Sequence, residues 1–193
     1  KKAYEKLLGA NEKINVILGV ELHIRNYDEV DPYHAHIFFK LDDIVSEIDN
    51  INLILDKLYP KKMVSGNDKI PKLEDIVKNF DKYNFIILPH GGQNHKTFDG
   101  SIPEGVNFDN TLERTIFYNQ FDGFTSRTNI GVQKTIEYFK RLNINEFINL
   151  VTGTDNYKPN DYPNSKGSDV TIPFVPTWML AKPTYSGLRI SLS

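Results

Sequence analysis

The sequence predicts an α/β domain with a mainly parallel sheet and helices packed outside it. Three observations carry that prediction. Strand-like and helix-like segments alternate through the second half of the chain, as they do where crossover connections join parallel strands. Apolar residues at 41, 44, 45, 48, 51, 54, 55 and 58 recur at helical spacing. Two long irregular stretches, 91 to 109 and 154 to 174, directly follow strand-like runs, and α/β folds carry their ligand sites at the carboxyl ends of strands. Such a sheet is either doubly wound or curled into a barrel.

Taken in order, INVILGVELHI (14 to 24) is an apolar, β-rich run, and HAHIFF (34 to 39) is another, after a turn region with Asn26, Asp28, Asp31 and Pro32. Leu41 to Leu58 is the strongest amphipathic helix, and 60 to 70 reads as loop. PKLEDIVKNFDKY (71 to 83) opens with Pro at a plausible first helical position and acids in the first turn, then runs into the strand NFIILP. A helix near 110 to 120, a strand FDGFTS (121 to 126), a helix 130 to 142 and a strand FINLVTG (147 to 153) follow. A strand VPTWMLA (175 to 181) and a short helix from Pro183 close the chain. No repeat or low-complexity segment is visible.

At 193 residues the chain is long enough for one well-buried core and short for two. A net charge of -2 gives no general attraction to nucleic acid or anionic membrane, so such contacts need a local patch. The absence of cysteine excludes disulfides, thiol nucleophiles, zinc ribbons and iron–sulfur clusters, and leaves any metal to His, Asp and Glu. No run approaches the roughly 18 to 20 apolar residues of a membrane span, and KKAYEKLL lacks the apolar segment of a signal peptide. The expectation is a cytoplasmic protein with no membrane partner.

The polar residues within and just after these strands are unusual. Glu21 and His23 are two apart and share a strand face; His34 and His36 repeat that spacing on the next strand. His90 ends the third strand, and Asp155 follows the glycine that ends FINLVTG. Four strands would bring oxygen and imidazole ligands to one rim, the donor set of Zn, Mn or Fe sites. Blander readings stand beside this one. A strand-end histidine is more often merely hydrogen-bonded or solvated, and Glu21 is equally well explained by pairing with a Lys or Arg. A carboxylate inside an apolar strand is nevertheless costly without a partner. GTD (153 to 155) also reads as a turn, and HGG (90 to 92) lacks the spacing of a phosphate loop. Arg127 and Lys96, near strand ends, are candidate phosphate-binding residues, though each also reads as a solvated surface charge.

In order, GVE (19 to 21), HIFF (36 to 39), LPHGG (88 to 92) and GTD (153 to 155) resemble the later motifs of the PHP (polymerase and histidinol phosphatase) superfamily of metal-dependent phosphoesterases. The resemblance implies a distorted (β/α)7-type barrel with up to three metals (Mn, Zn or Fe) at the strand carboxyl ends. Glu21 would be the bridging glutamate, His36 the histidine opening the next strand, His90 the following histidine, and Asp155 the aspartate of the terminal motif. GTDNYKPNDYP (153 to 163) and PTWMLAKPTYSGLR (176 to 189) further resemble the PHP-like domain that precedes an SMC-type ATPase module in bacterial TrlF-like proteins. That likeness implies an ATPase partner in the same parent chain, with nucleic acid reached through it.

Two departures qualify this. The family's last histidine falls on Tyr157, a poor substitute for imidazole. The family's His-x-His and Asp-His strands should lie upstream of Lys1, so residues 1 to 193 read as one partial domain, an incomplete barrel from a longer protein that lacks up to four ligands. The expectation is weak metal binding and no turnover by this piece, and hydrolysis of nucleic acid or nucleotide phosphoesters by metal-activated water in the parent. The alternative is a degenerate, non-catalytic platform for the ATPase. A third reading, a metal-free sugar- or nucleotide-binding domain, predicts that Glu21, His36 and His90 do not converge.

Overall fold

The computed structural model describes residues 2–10, 15–25, 32–62, 64, 66, 69–91, 118, 120–127, 129–142, 149–154, 160 and 176–193. Helix α1 (Lys2–Ala10) precedes strands β1 (Leu18–Ile24) and β2 (Tyr33–Phe39). Helices α2 (Ile44–Leu58) and α3 (Leu73–Asn79) lead to β3 (Phe85–Pro89), then β4 (Phe124–Arg127), α4 (Asn129–Leu142), β5 (Leu150–Gly153) and α5 (Tyr185–Ser191). The chain is thus a mixture of helices and small sheets, α/β as expected, with no closed barrel among the described residues.

Strand direction differs from the mainly parallel expectation. β1 pairs with β2 antiparallel, with Glu21 opposite His36 and His23 opposite His34. β2 also pairs with β3 antiparallel. The reason lies in the connections. Only a short segment separates β1 from β2, whereas a parallel crossover needs a dozen residues or more. Two α-helices, α2 and α3, lie between β2 and β3 among the described residues, which adds one reversal to the two made by a single crossover helix, so the chain re-enters the sheet against the direction of β2. β4 and β5, with one helix, α4, between them among the described residues, are parallel. A parallel bridge between His90 and Thr125, with the Gly91 N–H donating to the Thr125 carbonyl at 2.9 Å, joins the end of β3 to β4.

Alternation along the strands makes two faces. On one, Leu22, Ile24, Tyr33, Ala35, Ile37, Phe39 and Phe124 are buried in a single cluster with Ile48 and Ile51 of α2, Ile76 of α3 and Phe139 of α4. Asp43 starts α2 by accepting the N–H groups of Val45 and Ser46, the usual device for satisfying orphan donors at a helix start. The other face is divided. Ile86 and Leu88 are covered there by Tyr185 and Leu192 in and beside α5, with Phe38 and Val151 packed alongside. Arg189 of α5 donates to the Phe85 carbonyl at 3.1 Å and lies 3.6 Å from Asp122. The rest of this face carries the histidines.

Other segments differ from the sequence reading. β4 starts at Phe124 rather than 121, because Asp122 folds back and its carboxylate accepts the Ile87 N–H at 3.0 Å. The segment 176–180 is not a strand. It lies beside β5, but Thr177 pairs with it through a hydroxyl: the Thr177 N–H donates to Thr152 Oγ1 and the Thr152 N–H to Thr177 Oγ1, each at 2.8 Å. A side-chain interlock thus stands where a backbone ladder was expected, and Trp178 and Leu180 point outward at 90% and 106% exposure. Apart from Tyr118 and Gln120, the expected helix near 110 to 120 lies outside the described residues, as do 147 and 148 of the expected last core strand.

Candidate metal centre

The ladder dictates which side chains meet. Residues opposite each other in an antiparallel pair share a face, as do residues two apart in one strand. Glu21, His23, His34 and His36 therefore project together. The His90 N–H donates to the His34 carbonyl at 2.9 Å, which extends the β2–β3 register by one more pair and sets the His90 ring on the same face. Four of the chain's five histidines stand on this patch.

At its centre the His34 Nδ1–H donates to Glu21 Oε1 at 2.9 Å, and His90 Nε2 lies 3.8 Å from the same oxygen. One ligand atom from each of Glu21, His34 and His90 falls within 4.8 Å of the others. Donors about 2.0 to 2.2 Å from a Zn ion stand roughly 3 to 3.5 Å apart, so a small contraction would complete three corners of a coordination shell. Two imidazoles and a carboxylate are also a donor set such ions accept. The residues fit a divalent metal.

The remaining histidines frame this group. The His23 ring stacks on His34 with centroids 3.9 Å apart. His23 Nδ1 lies 3.0 Å from the Val64 carbonyl; a carbonyl only accepts, so that nitrogen carries the proton, the tautomer that metal-bound histidines adopt. His36 sits 5.0 Å from His90, centroid to centroid, with its Nδ1 3.4 Å from Thr125 Oγ1. Of the expected ligands, Glu21 and His90 thus belong to the central group. His36 stands beside His90, and the inner position falls to His34. Asp155 and Lys96 lie outside the described residues, as does Tyr157. Arg127, exposed at the end of β4, is two residues beyond Thr125 on the same face, and its charge is felt at His90.

Electrostatics favours the ligating forms. Burial pushes the Glu21 carboxyl up, but the hydrogen bond and positive character of His34, with His90 and His36, outweigh it and leave the group below its ordinary value. Burial is the main cause that brings His90 down to about 4, helped by His36, opposed by Glu21, and helped further by His34 and Arg127. At neutral pH this presents an ionised carboxylate and a neutral imidazole, so His90 has no proton for an incoming metal to displace.

The glycine after His90 has a packing role. A Cβ on Gly91 would stand 3.2 Å from Phe124, Phe139 and Thr135 atoms, so this residue of the HGG motif is accounted for by the fit of β3 against α4. No family model, curated protein or solved structure matches the chain.

Proposed function

We propose that this chain is the metal-holding part of a divalent-metal-dependent phosphoesterase of the PHP type, acting on nucleotide or nucleic acid phosphoesters within a longer protein. The observation that carries the reading is the convergence of Glu21, His34 and His90 ligand atoms within 4.8 Å on a sheet face whose motifs follow the PHP order. When bound, a divalent ion supplies Lewis acidity and a nucleophile at neutral pH. The chain's own residues do the rest. Glu21 holds negative charge at the centre, His90 supplies a neutral nitrogen donor, His34 adds a second imidazole, and His36, anchored on Thr125, borders the group. Arg127 offers a cation on the same face for phosphate oxygens. Asp155 completes the proposed ligand set, and Lys96 is the second proposed phosphate contact. An attached ATPase module and a cytoplasmic setting belong to the same proposal.

Tyr157 favours a second reading, a non-catalytic platform in which the patch retains only its binding capacity. Equilibrium dialysis with Mn or Zn, beside hydrolysis of a generic aryl phosphate by this chain and by its longer parent, separates the two. The expected result is metal binding of micromolar strength at most by this chain, weakened at least tenfold in Glu21→Gln and His90→Ala, with turnover in the parent that His90→Ala abolishes. Metal binding without turnover in either protein selects the platform. Binding that neither substitution weakens refutes both.

A further inference from the structure

A cleft of about 680 Å³ opens between the free edge of β1 and the flank of α2, lined by residues 20 to 23 and by Asn52, Leu55, Tyr59, Lys62 and Val64 among others. Its volume is in the range of small-molecule sites. Val20, Leu22, Leu55 and Val64 give it apolar walls, while Asn52, Asp56 and Lys62 are polar groups at its border, the acid and the lysine opposite in charge.

The hydrogen bonding of the β1 edge is selective. Every second residue of an edge strand turns its N–H and C=O outward, here residues 19, 21, 23 and 25. Gly19 is closed by Tyr4, whose hydroxyl accepts its N–H at 3.2 Å and donates to its carbonyl at 3.4 Å. Tyr59 donates to the His23 carbonyl at 2.7 Å, and the Arg25 N–H is taken by the Pro71 carbonyl. Among the described residues nothing bonds the N–H and C=O of Glu21. The N–H and C=O of Glu21, one donor–acceptor pair, are therefore open in the wall of the cleft together with the His23 N–H, between the closed Gly19 and the closed carbonyl of His23. An added peptide strand needs a row of open residues, and this edge does not offer one. A flat heterocycle with a donor beside an acceptor on its rim needs a single such pair, and nucleobase edges have that pattern.

We propose that the cleft holds the base of a nucleotide substrate, its edge paired with the backbone N–H and C=O of Glu21 and its faces against the apolar walls. The inference rests on the phosphoester reading for the choice of a nucleotide over other heterocycles. Glu21 then serves both ends of one ligand: its backbone reads the base in the cleft, and its carboxylate belongs to the His34 and His90 group that faces the phosphate. Asn52 borders the cleft from an exposed position on α2, so a large side chain there obstructs entry without entering the core.

Amide NMR of the whole chain in EDTA, titrated with adenosine 5′-monophosphate and separately with ribose 5-phosphate, tests this. The Glu21 and His23 amide signals should shift with the nucleotide and stay in place with the sugar phosphate, and Asn52→Trp should weaken nucleotide binding at least tenfold. Equal binding of both ligands, or unmoved Glu21 and His23 signals, overturns the proposal, as does an Asn52→Trp variant that binds unchanged. A model β-strand peptide that moves the Glu21 signal where the nucleotide does not would assign the edge to strand docking instead. Because the readout excludes metal, its failure is distinct from failure of the metal-dependent hydrolysis.

Discussion

Glu21 sits opposite His36 in the ladder, yet its carboxylate bonds His34, the diagonal neighbour. A glutamate side chain is long enough to span a diagonal position, and this reach decides which histidine joins the central group. The position of His90 has a measurable consequence. An imidazole held at about 4 refuses a proton that the unfolded chain accepts near 6.5. Between those values the unfolded state binds more protons, so stability falls as pH drops through the window and rises as pH increases. Urea midpoints in EDTA from pH 7 to pH 4 should show this acid limb, and His90→Gln should flatten it. An equally steep limb in the variant would assign it to other groups. That Glu21 and His23 share a face, and His34 and His36 likewise, was legible from their spacing, since a period of two holds for parallel and antiparallel strands alike, whereas the meeting of the two pairs rests on the register. The choice between His34 and His36 was not, because it depends on register and on diagonal reach.

Helix α5 illustrates what one short element contributes. It has seven residues, too few for intrinsic stability, and is held by packing on Ile86 and Leu88 and by its cap. Thr184 Oγ1 accepts the Gly187 N–H at 3.1 Å. Thr184→Ala should lower stability by about 1 kcal/mol, read as a reduced denaturation midpoint, while Thr184→Ser should restore most of it. Failure of serine to restore stability would mean that the threonine methyl, and not the cap, is responsible. Elements with a strong period were well read: α2 and β3 fall within one to three residues of their expected limits. α1 was missed because its anchor on the sheet, Tyr4 on Gly19, joins residues 15 apart in sequence, a contact that local periodicity does not encode. The segment 176–180 alternates as a strand does, with Thr177 and Met179 partly buried between exposed neighbours, but alternation cannot tell a hydroxyl interlock from a backbone ladder.

Across the whole molecule, the α/β composition was legible while strand direction was not, since direction depends on how many helices separate two strands as well as on their presence. The main core ties the antiparallel and parallel parts together. Phe80 is fully buried beside Phe39, with ring centroids 5.0 Å apart, and Phe124 extends the same cluster across β4 to Phe139. Phe80→Ala should therefore cost on the order of 3 to 5 kcal/mol, seen as one cooperative loss of helix and sheet signals together. Separate transitions would show that the two sheets unfold as independent units. Trp178, the chain's one tryptophan, already faces solvent at 90% exposure, so its fluorescence should hardly change when the core melts. The tyrosines have to report unfolding, which leaves indole emission as an undisturbed optical channel for anything that comes to rest against the outer side of 176–180.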